Sequence, residues 1–236
     1  MGYVISEIMS PHALLEISSK QIPGVTPVNV FGINRDVGTA WETVWNGPAA
    51  FAYPSSAVQM SLVSSNAADT MTVAISGLDA NYNQIADLVT LNGTTPVTTN
   101  INFYRINSAA ILSGSNVGNI SISNGGTVYA YIEAELGATQ MCGFTVPVDC
   151  SLYLFRINIA SGTANGNQYI SYRNTTRSSN GRILHVAEGS FNNNIQTFDR
   201  QIPFRIDEKT DFRFEAKSSN AANVLSVFVE ALCMEN

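Results

Sequence analysis

The sequence predicts an all-β protein built from antiparallel β-sandwich or jelly-roll units, and three observations lead to that fold class. Runs rich in β-branched and aromatic residues recur about every 13 residues along the chain. Clusters of Gly, Asn and Ser separate these runs, as turns do. No stretch keeps helical periodicity long enough to form the helix that connects two parallel strands, so βαβ folds are excluded.

Composition narrows the class of protein further. Hydrophobic residues make up 45% of the 236 residues and charged residues 13%, which is about half the usual charged share. Such a chain folds, and amides and hydroxyls make its surface polar. A net charge of −6 and a pI near 4.8 argue against binding to nucleic acid, which requires clustered basic residues.

The apolar runs are too short to cross a bilayer, so no membrane partner is expected. The N-terminal stretch MGYVISEIMSPHALL lacks the basic start and the continuous apolar region of a secretory signal. We therefore expect synthesis in a cytoplasm without export by that route.

The first 27 residues differ from the rest of the chain. A short amphipathic helix interrupted by Pro11 is indicated in ISEIMSPHALLEISSK (5–20), and QIPGVTP follows it. We expect an extended N-terminal arm over 1–27, a first β unit over 28–136 and a second, jelly-roll-like unit over 137–236. One continuous sandwich is the alternative.

The predicted strands follow in order. Those of the first unit are 28–32, 41–45, 58–63, 71–76, 85–91, 101–112, 119–123 and 127–134. Those of the second unit are 141–147, 151–160, 168–173, 182–188, 195–206, 211–216 and 224–232.

Alternation in DFRFEA (211–216) assigns the two faces of its strand. Phe212 and Phe214 point one way, towards the core, while Asp211, Arg213 and Glu215 point the other way. We expect this second face to be exposed to solvent.

Four aromatic residues are candidates for a subunit interface. WETVW places Trp41 and Trp45 on one face of a strand, and TVYAYIEA places Tyr129 and Tyr131 on the face opposite Val128. Aromatic side chains are enriched at interfaces. A buried core position and a sugar-binding platform are the alternatives for the two tryptophans, and an ordinary surface position is the alternative for the two tyrosines.

GLDANYNQIADLV (77–89) begins like a calcium loop, with oxygen-bearing side chains at Asp79, Asn81 and Asn83. A calcium loop of this kind also needs a glycine at position 6 and a glutamate at position 12, where this chain has Gln84 and Thr90. We predict a hairpin turn in which Asp79 and Asn81 bond their own backbone.

No other segment indicates a catalytic, metal-binding or phosphate-binding site. The two histidines, His12 and His185, have no ligands at metal spacing near them, and GSNVGN (114–119) lacks the Lys-Ser/Thr and the helix of a phosphate loop. We therefore expect no enzyme activity, no catalytic residues, no metal and no cofactor.

Three cysteines, Cys142, Cys150 and Cys233, cannot all pair within the chain, and none forms a CxxC motif. Buried thiols in a reducing cytosol are the expected state. A bridge between Cys142 and Cys150 across a hairpin is the alternative.

A series of short blocks resembles a family of tailed-bacteriophage virion structural proteins, over residues 22 to 236. The blocks are FGINRDVGTAWETVW (31–45), YPSSA (53–57), VSSNAADTMTVAISGLDANY (63–82), VTLNGTTPVTT (89–99), FYRINSA (103–109), NVGNISI (116–122), FTVPVDCSLYL (144–154) and IDEKTDFRFEAKSS (206–219). They are specific in combination rather than singly. No catalytic residue comes with the resemblance.

The resemblance implies a non-enzymatic virion protein that decorates or stabilises the capsid surface. Its partners would be copies of itself and other virion proteins, above all the major capsid protein. A tail, fibre or receptor-binding component is the alternative, with the Asn-rich loops at 161–168 and 190–196 in contact with a host surface glycan. A free carbohydrate-binding β-sandwich or a hydrolase is a third interpretation.

Overall fold

The computed structural model describes residues 11–19, 21–162, 168–192, 194–220 and 223–236. Within them the chain forms one helix, α1 (Pro11–Ser18), and sixteen strands. The first nine strands are β1 (Val25–Val37), β2 (Glu42–Thr43), β3 (Ser61–Ser64), β4 (Thr72–Leu78), β5 (Gln84–Thr90), β6 (Val97–Thr98), β7 (Arg105–Ile111), β8 (Ile120–Asn124) and β9 (Thr127–Ile132). The others are β10 (Gly143–Thr145), β11 (Cys150–Gly162), β12 (Ile170–Ser178), β13 (Ile183–Phe191), β14 (Ile195–Ile206), β15 (Thr210–Ser218) and β16 (Asn223–Glu235).

Every strand pairing between named strands is antiparallel, and the all-β prediction is confirmed. The described strands form four sheets, with orders β1-β16-β11-β14, β10-β15-β12-β13, β6-β3-β8-β9 and β5-β4-β7, and β2 pairs with β15. The four sheets are arranged like the blades of a small propeller. The predicted sandwich or jelly-roll arrangement is not confirmed.

The sheets share hydrophobic cores in pairs. The first two sheets enclose a cluster that includes Leu152, Phe212 and Val229, and the last two enclose one that includes Leu62 and Phe103. β1 pairs with β16, so the beginning of the predicted first unit lies in a sheet with the end of the chain. The predicted boundary at residues 136/137 itself stays a prediction.

Residues 11–18 of the N-terminal arm form a helix that packs on its own chain, and the end of the arm, from Val25, begins β1. Pro11 begins α1, where the absence of an N–H has no cost. Ile17 is buried against Val25 and Leu232. The short helix predicted within 5–20 is therefore confirmed over residues 11–18. The arm over 1–27 stays a prediction, and residues 1–10 and 20 lie outside the described residues.

The alternation in β15 correctly predicts its buried face but not its opposite face. Phe212 and Phe214 are buried in the core. The expectation of a wet opposite face is wrong, because Asp211 and Glu215 are also buried. Cationic side chains from other strands cover both carboxylates.

The carboxylate of Asp211 joins the two core-sharing halves of the molecule. Arg105 of β7 holds it in a bidentate ion pair, with Nε 2.8 Å from Oδ1 and Nη2 3.1 Å from Oδ2. Thr145 of β10 donates a third hydrogen bond, 2.7 Å long, to Oδ1. The Arg105 guanidinium also lies 4.5 Å from the ring centroid of Tyr53 and 4.0 Å from that of Tyr104.

Backbone contacts extend this junction on both sides of the ion pair. Asn107 of β7 exchanges two hydrogen bonds with the backbone of Thr145, of 3.0 and 2.8 Å. The carbonyl of Tyr82 accepts the Val148 N–H at 3.0 Å. Gly77 must lack a side chain here, since a Cβ would lie 2.1 Å from the carbonyl oxygen of Arg105.

The Asp79 segment forms a hairpin turn between β4 and β5, as its sequence predicts. Its carboxylate Oδ1 accepts the N–H groups of Asn81 and Asn83 at 2.8 and 2.9 Å, and Oδ2 accepts the Asn83 side-chain amide at 2.9 Å. Burial opposes ionisation, yet these hydrogen bonds hold the pKa of Asp79 below its usual value. Tyr82 in the same turn has a positive φ of 67°.

The three cysteines are buried free thiols. Cys150 on β11 lies beside Cys233 on the neighbouring strand β16. Burial and this neighbouring thiol raise the pKa of Cys233 to about 12, so it stays protonated at neutral pH. The alternative bridge between Cys142 and Cys150 is not formed.

Replacing Arg105 by methionine should destabilise the whole fold. The change leaves a buried carboxylate without its charge partner, which costs about 3–5 kcal/mol. Urea unfolding monitored by circular dichroism measures the loss. Arg156→Met is the matched control, because the ion pairs of Arg156 with Asp199 and Glu230 are exposed and such pairs contribute about 1 kcal/mol or less. Equal losses in the two variants would contradict the role of the junction.

Candidate subunit interface

Two of the four predicted interface residues, Trp41 and Trp45, line the same groove. Trp45 is buried, forms an isolated β-bridge with Met141 and meets the edge of the Phe51 ring at a centroid distance of 5.3 Å. Trp41 is partly exposed, and its ring lies 4.3 Å from the guanidinium of Arg173. The structure thus divides the pair into one core residue and one residue near the surface.

The sheet under Trp41 carries a buried ionic network centred on Glu215. Its Oε2 accepts from Arg173 at 2.6 Å and from Thr175 at 2.7 Å, and its Oε1 lies 3.0 Å from Arg213. Burial disfavours the charged form, but these partners hold the pKa of Glu215 below its usual value. Thr175 also contacts Nδ1 of His185 at 3.0 Å, so the network reaches β13.

The other two candidates, Tyr129 and Tyr131, lie on β9 at the edge of a different sheet. Both are partly buried and pack against the second core. Burial and the nearby charge of Glu133 raise the pKa of Tyr131. Their assignment to an interface stays a prediction.

Strands β13 and β14 carry the most exposed group of large apolar side chains, and the sequence did not single them out. Each strand lies at the end of its sheet, and within the described residues nothing pairs with its outer edge. We call this region the β13–β14 edge surface. It is defined by Ile183, Leu184, Ile195, Phe198 and Ile202.

Ile202 projects from an irregularity in β14. Arg156 of β11 pairs with Asp199 and Leu154 pairs with Phe204, so residues 200–203 face a single residue of β11. The extra residues bend out of the ladder, as in a large β-bulge. Ile202 is consequently 84% exposed, which places an apolar knob on the edge surface.

Two cavities lie between the sheets that end in β13 and β14. A cavity of about 310 Å³ lies between Tyr172 and Phe214 on one sheet and Ile157 and Phe198 on the other. A second, of about 260 Å³, lies between Leu184 and the β14 segment that includes Phe204 and Ile206. The first cavity is lined mainly by apolar side chains and the second mainly by polar ones, so both give an incoming chain concave contacts beside two unpaired strand edges.

Charges on this surface have both signs. β14 carries Asp199, Arg200 and Arg205, and β13 carries Glu188. Like charges facing each other would repel a second copy, whereas a mixed row can be complementary to itself. An identical chain related by two-fold symmetry therefore suits the surface.

One signal in the sequence could have identified the edge. Pro203 lies inside the run IQTFDRQIPFRI, and proline within a strand is confined to edges and bulges because it cannot donate to the ladder. Ile195, Phe198 and Ile202 also break strict alternation, which indicates a strand without one simple buried face. The cavities could not be predicted, since they depend on how two sheets meet.

Some expected features fall outside the described residues. Residues 163–167 and 193 belong to the two Asn-rich loops predicted as receptor contacts and are not described. Over the described ranges, no group of three or more His, Cys, Asp or Glu side chains is placed to hold a metal. None of the helical segments described is long and apolar enough to span a bilayer.

Comparisons with known proteins give little further information. No family model matches the chain, and no curated protein matches it. Among solved structures, the infectious bursal disease virus VP2 subviral particle is 9% identical, with 91% of this chain and 73% of that chain covered and a TM-score of 0.25. The Gx strain of the same virus is 9% identical, with coverages of 89% and 76% and a TM-score of 0.26. TM-scores of this size do not establish a shared fold, so nothing about this chain is taken from these particles.

The change Ile202→Glu should weaken self-association without unfolding the chain. A charge at an apolar contact raises the dissociation constant about tenfold or more, while an exposed position changes the free energy of unfolding by only about 0.5 kcal/mol. Sedimentation equilibrium measures the first quantity and urea unfolding the second.

The matched control is Leu88→Glu, since Leu88 is also exposed and lies on β5, an edge strand of another sheet. If the Ile202→Glu protein self-associates with the same dissociation constant as the unaltered chain, the β13–β14 edge surface is not the interface.

Proposed function

We propose that this chain is a non-enzymatic structural protein of a tailed-bacteriophage virion, which associates with copies of itself through the β13–β14 edge surface. The observation that carries the proposal is this surface: five large apolar side chains on two unpaired strand edges. Exposed edges of this kind promote association unless a partner covers them. A subunit whose work is assembly needs such a surface.

The use of charged residues supports a structural role. Four charged residues are buried among those described: Asp69, Arg105, Asp211 and Glu215. Every carboxylate oxygen of the three acids is bonded within the chain, to hydroxyl, guanidinium or backbone N–H donors. These groups hold strands and loops together, which is a structural use of buried charge.

Within the virion, the proposed position is the capsid surface, where the protein decorates or stabilises the shell. Support comes from the sequence blocks that resemble tailed-phage virion proteins, and from the scarcity of charged residues, 13% of the chain. Charges are depleted at interface cores because their desolvation is costly. The major capsid protein is the proposed partner, after synthesis in the host cytoplasm.

A tail, fibre or receptor-binding component is the second candidate. The groove beside Trp41 favours it, because a partly exposed tryptophan among polar side chains suits a ligand. Both candidates predict a virion protein, and they differ in copy number.

Quantitative mass spectrometry of purified particles distinguishes these positions. A protein that decorates the capsid should be present in hundreds of copies, in proportion to the major capsid protein, because shells repeat each site by symmetry. Tens of copies or fewer would place it in the tail. Its absence from purified particles would overturn the proposed function.

A further inference from the structure

A polar groove of about 540 Å³ runs between residues 34–51 and strand β15. Both tryptophans of the chain line it, together with Asp36, Glu42 and Arg213. The volume lies in the range of small-molecule sites, which combine aromatic walls with a few polar groups. The groove thus has the size and the lining of a binding site.

The wall that carries Trp41 is held in place without a ligand. Arg173 and the ammonium of Lys217 lie 4.3 and 4.7 Å from the centre of the indole. The side chain of Glu42 accepts the Gly38 N–H at 2.6 Å, and the carbonyl of Gly38 accepts the Ser218 N–H at 2.8 Å. A wall fixed in this way loses little conformational entropy when a ligand binds.

The other aromatic wall is equally constrained. Trp45 and Phe51 meet edge to face, with an interplanar angle of 81°. The backbone at Gly47 lies against the Trp45 ring, where a Cβ would come within 2.2 Å of the indole. The indole of Trp45 therefore forms a rigid, apolar side of the groove.

Three acids and one base line the groove, and two further cations lie beside Trp41. Asp36, Glu42 and Glu215 are acidic, while Arg213 and the two cations beside Trp41 are basic, so their formal charges sum to zero. Both oxygens of Glu215 are already bonded. Carboxylate acceptors and guanidinium donors together suit a ligand with several hydroxyl groups and no net charge.

We infer that this groove binds a neutral carbohydrate ring. A pyranose has an apolar C–H face, which stacks on an indole, and a rim of hydroxyls, each of which both donates and accepts hydrogen bonds. Trp41 provides the stacking surface, and Arg213 with Glu42 provides the partners of the hydroxyls. The inference goes beyond assembly, because the β13–β14 edge surface contributes no residue to this groove.

The test uses the intact chain and defined probes. Methyl glycosides of glucose, galactose and N-acetylglucosamine are the neutral probes, while inorganic phosphate and sialic acid are the anionic ones. The chain has only two tryptophans, and both line the groove, so intrinsic fluorescence reports directly on it. Saturation-transfer NMR of each probe gives an independent measure of binding.

We expect saturable binding of at least one neutral probe, weakened about tenfold or more by Trp41→Ala. Arg213→Met should also weaken it, while Trp41→Phe should retain part of it. Tyr169→Ala is the control, since it removes an exposed aromatic ring that does not line the groove. Circular dichroism and thermal unfolding establish that each variant folds.

Three results would overturn the inference. They are failure of every neutral probe to bind at high millimolar concentration, binding of the anionic probes alone, and neutral binding that Trp41→Ala leaves unchanged. Ile202→Glu should bind the same sugars as the unaltered chain, so failure of the assembly proposal and failure of this inference can be told apart.

Discussion

The ion pair between Arg105 and Asp211 is the constraint on which the rest of the structure depends. It joins a strand from each core-sharing half, and both charges are almost fully removed from water. Burial makes such a pair expensive to break, because either partner alone would be an uncompensated charge. The tyrosine rings beside the guanidinium and the hydroxyl of Thr145 complete the coordination of the pair. With the halves fixed in this way, the groove keeps a defined shape, because Trp45 packs in one core while Arg213 and Glu215 lie on strand β15 of the other half.

The sequence blocks that resemble phage virion proteins meet one another in space at structural contacts. Arg105 and Asn107 belong to FYRINSA, Thr145 to FTVPVDCSLYL, and Asp211 to IDEKTDFRFEAKSS, and all four lie at the junction. Likewise, Asp69 from one block accepts hydrogen bonds from the backbone of the block NVGNISI, at 2.8 and 2.9 Å. These blocks therefore hold strands and loops together.

Much of the fold could be predicted from the sequence, because strand alternation and turn chemistry act locally. The run 195–206 is a strand with those bounds, and the Asp79 turn bonds its own backbone as expected. Long-range packing could not be predicted. The exposed face expected for β15 is covered by Arg105 and Arg173, which are distant in sequence. For the same reason, the apolar edge surface was missed. The sequence placed Trp41 and Trp45 on one face, but the groove that they share depends on how residues 34–51 meet strand β15.

The β13–β14 edge surface links this packing to the proposed role. Edges that are unpaired in the single chain become paired or covered when copies assemble. Amide hydrogen exchange of isolated chains and of assembled particles measures this most directly. We expect the amides along β13 and β14 to gain strong protection in the particle, while those of β5, the edge strand that carries Leu88, change little. Equally fast exchange of the β13 and β14 amides in both states would rule out assembly of copies of this chain through that surface.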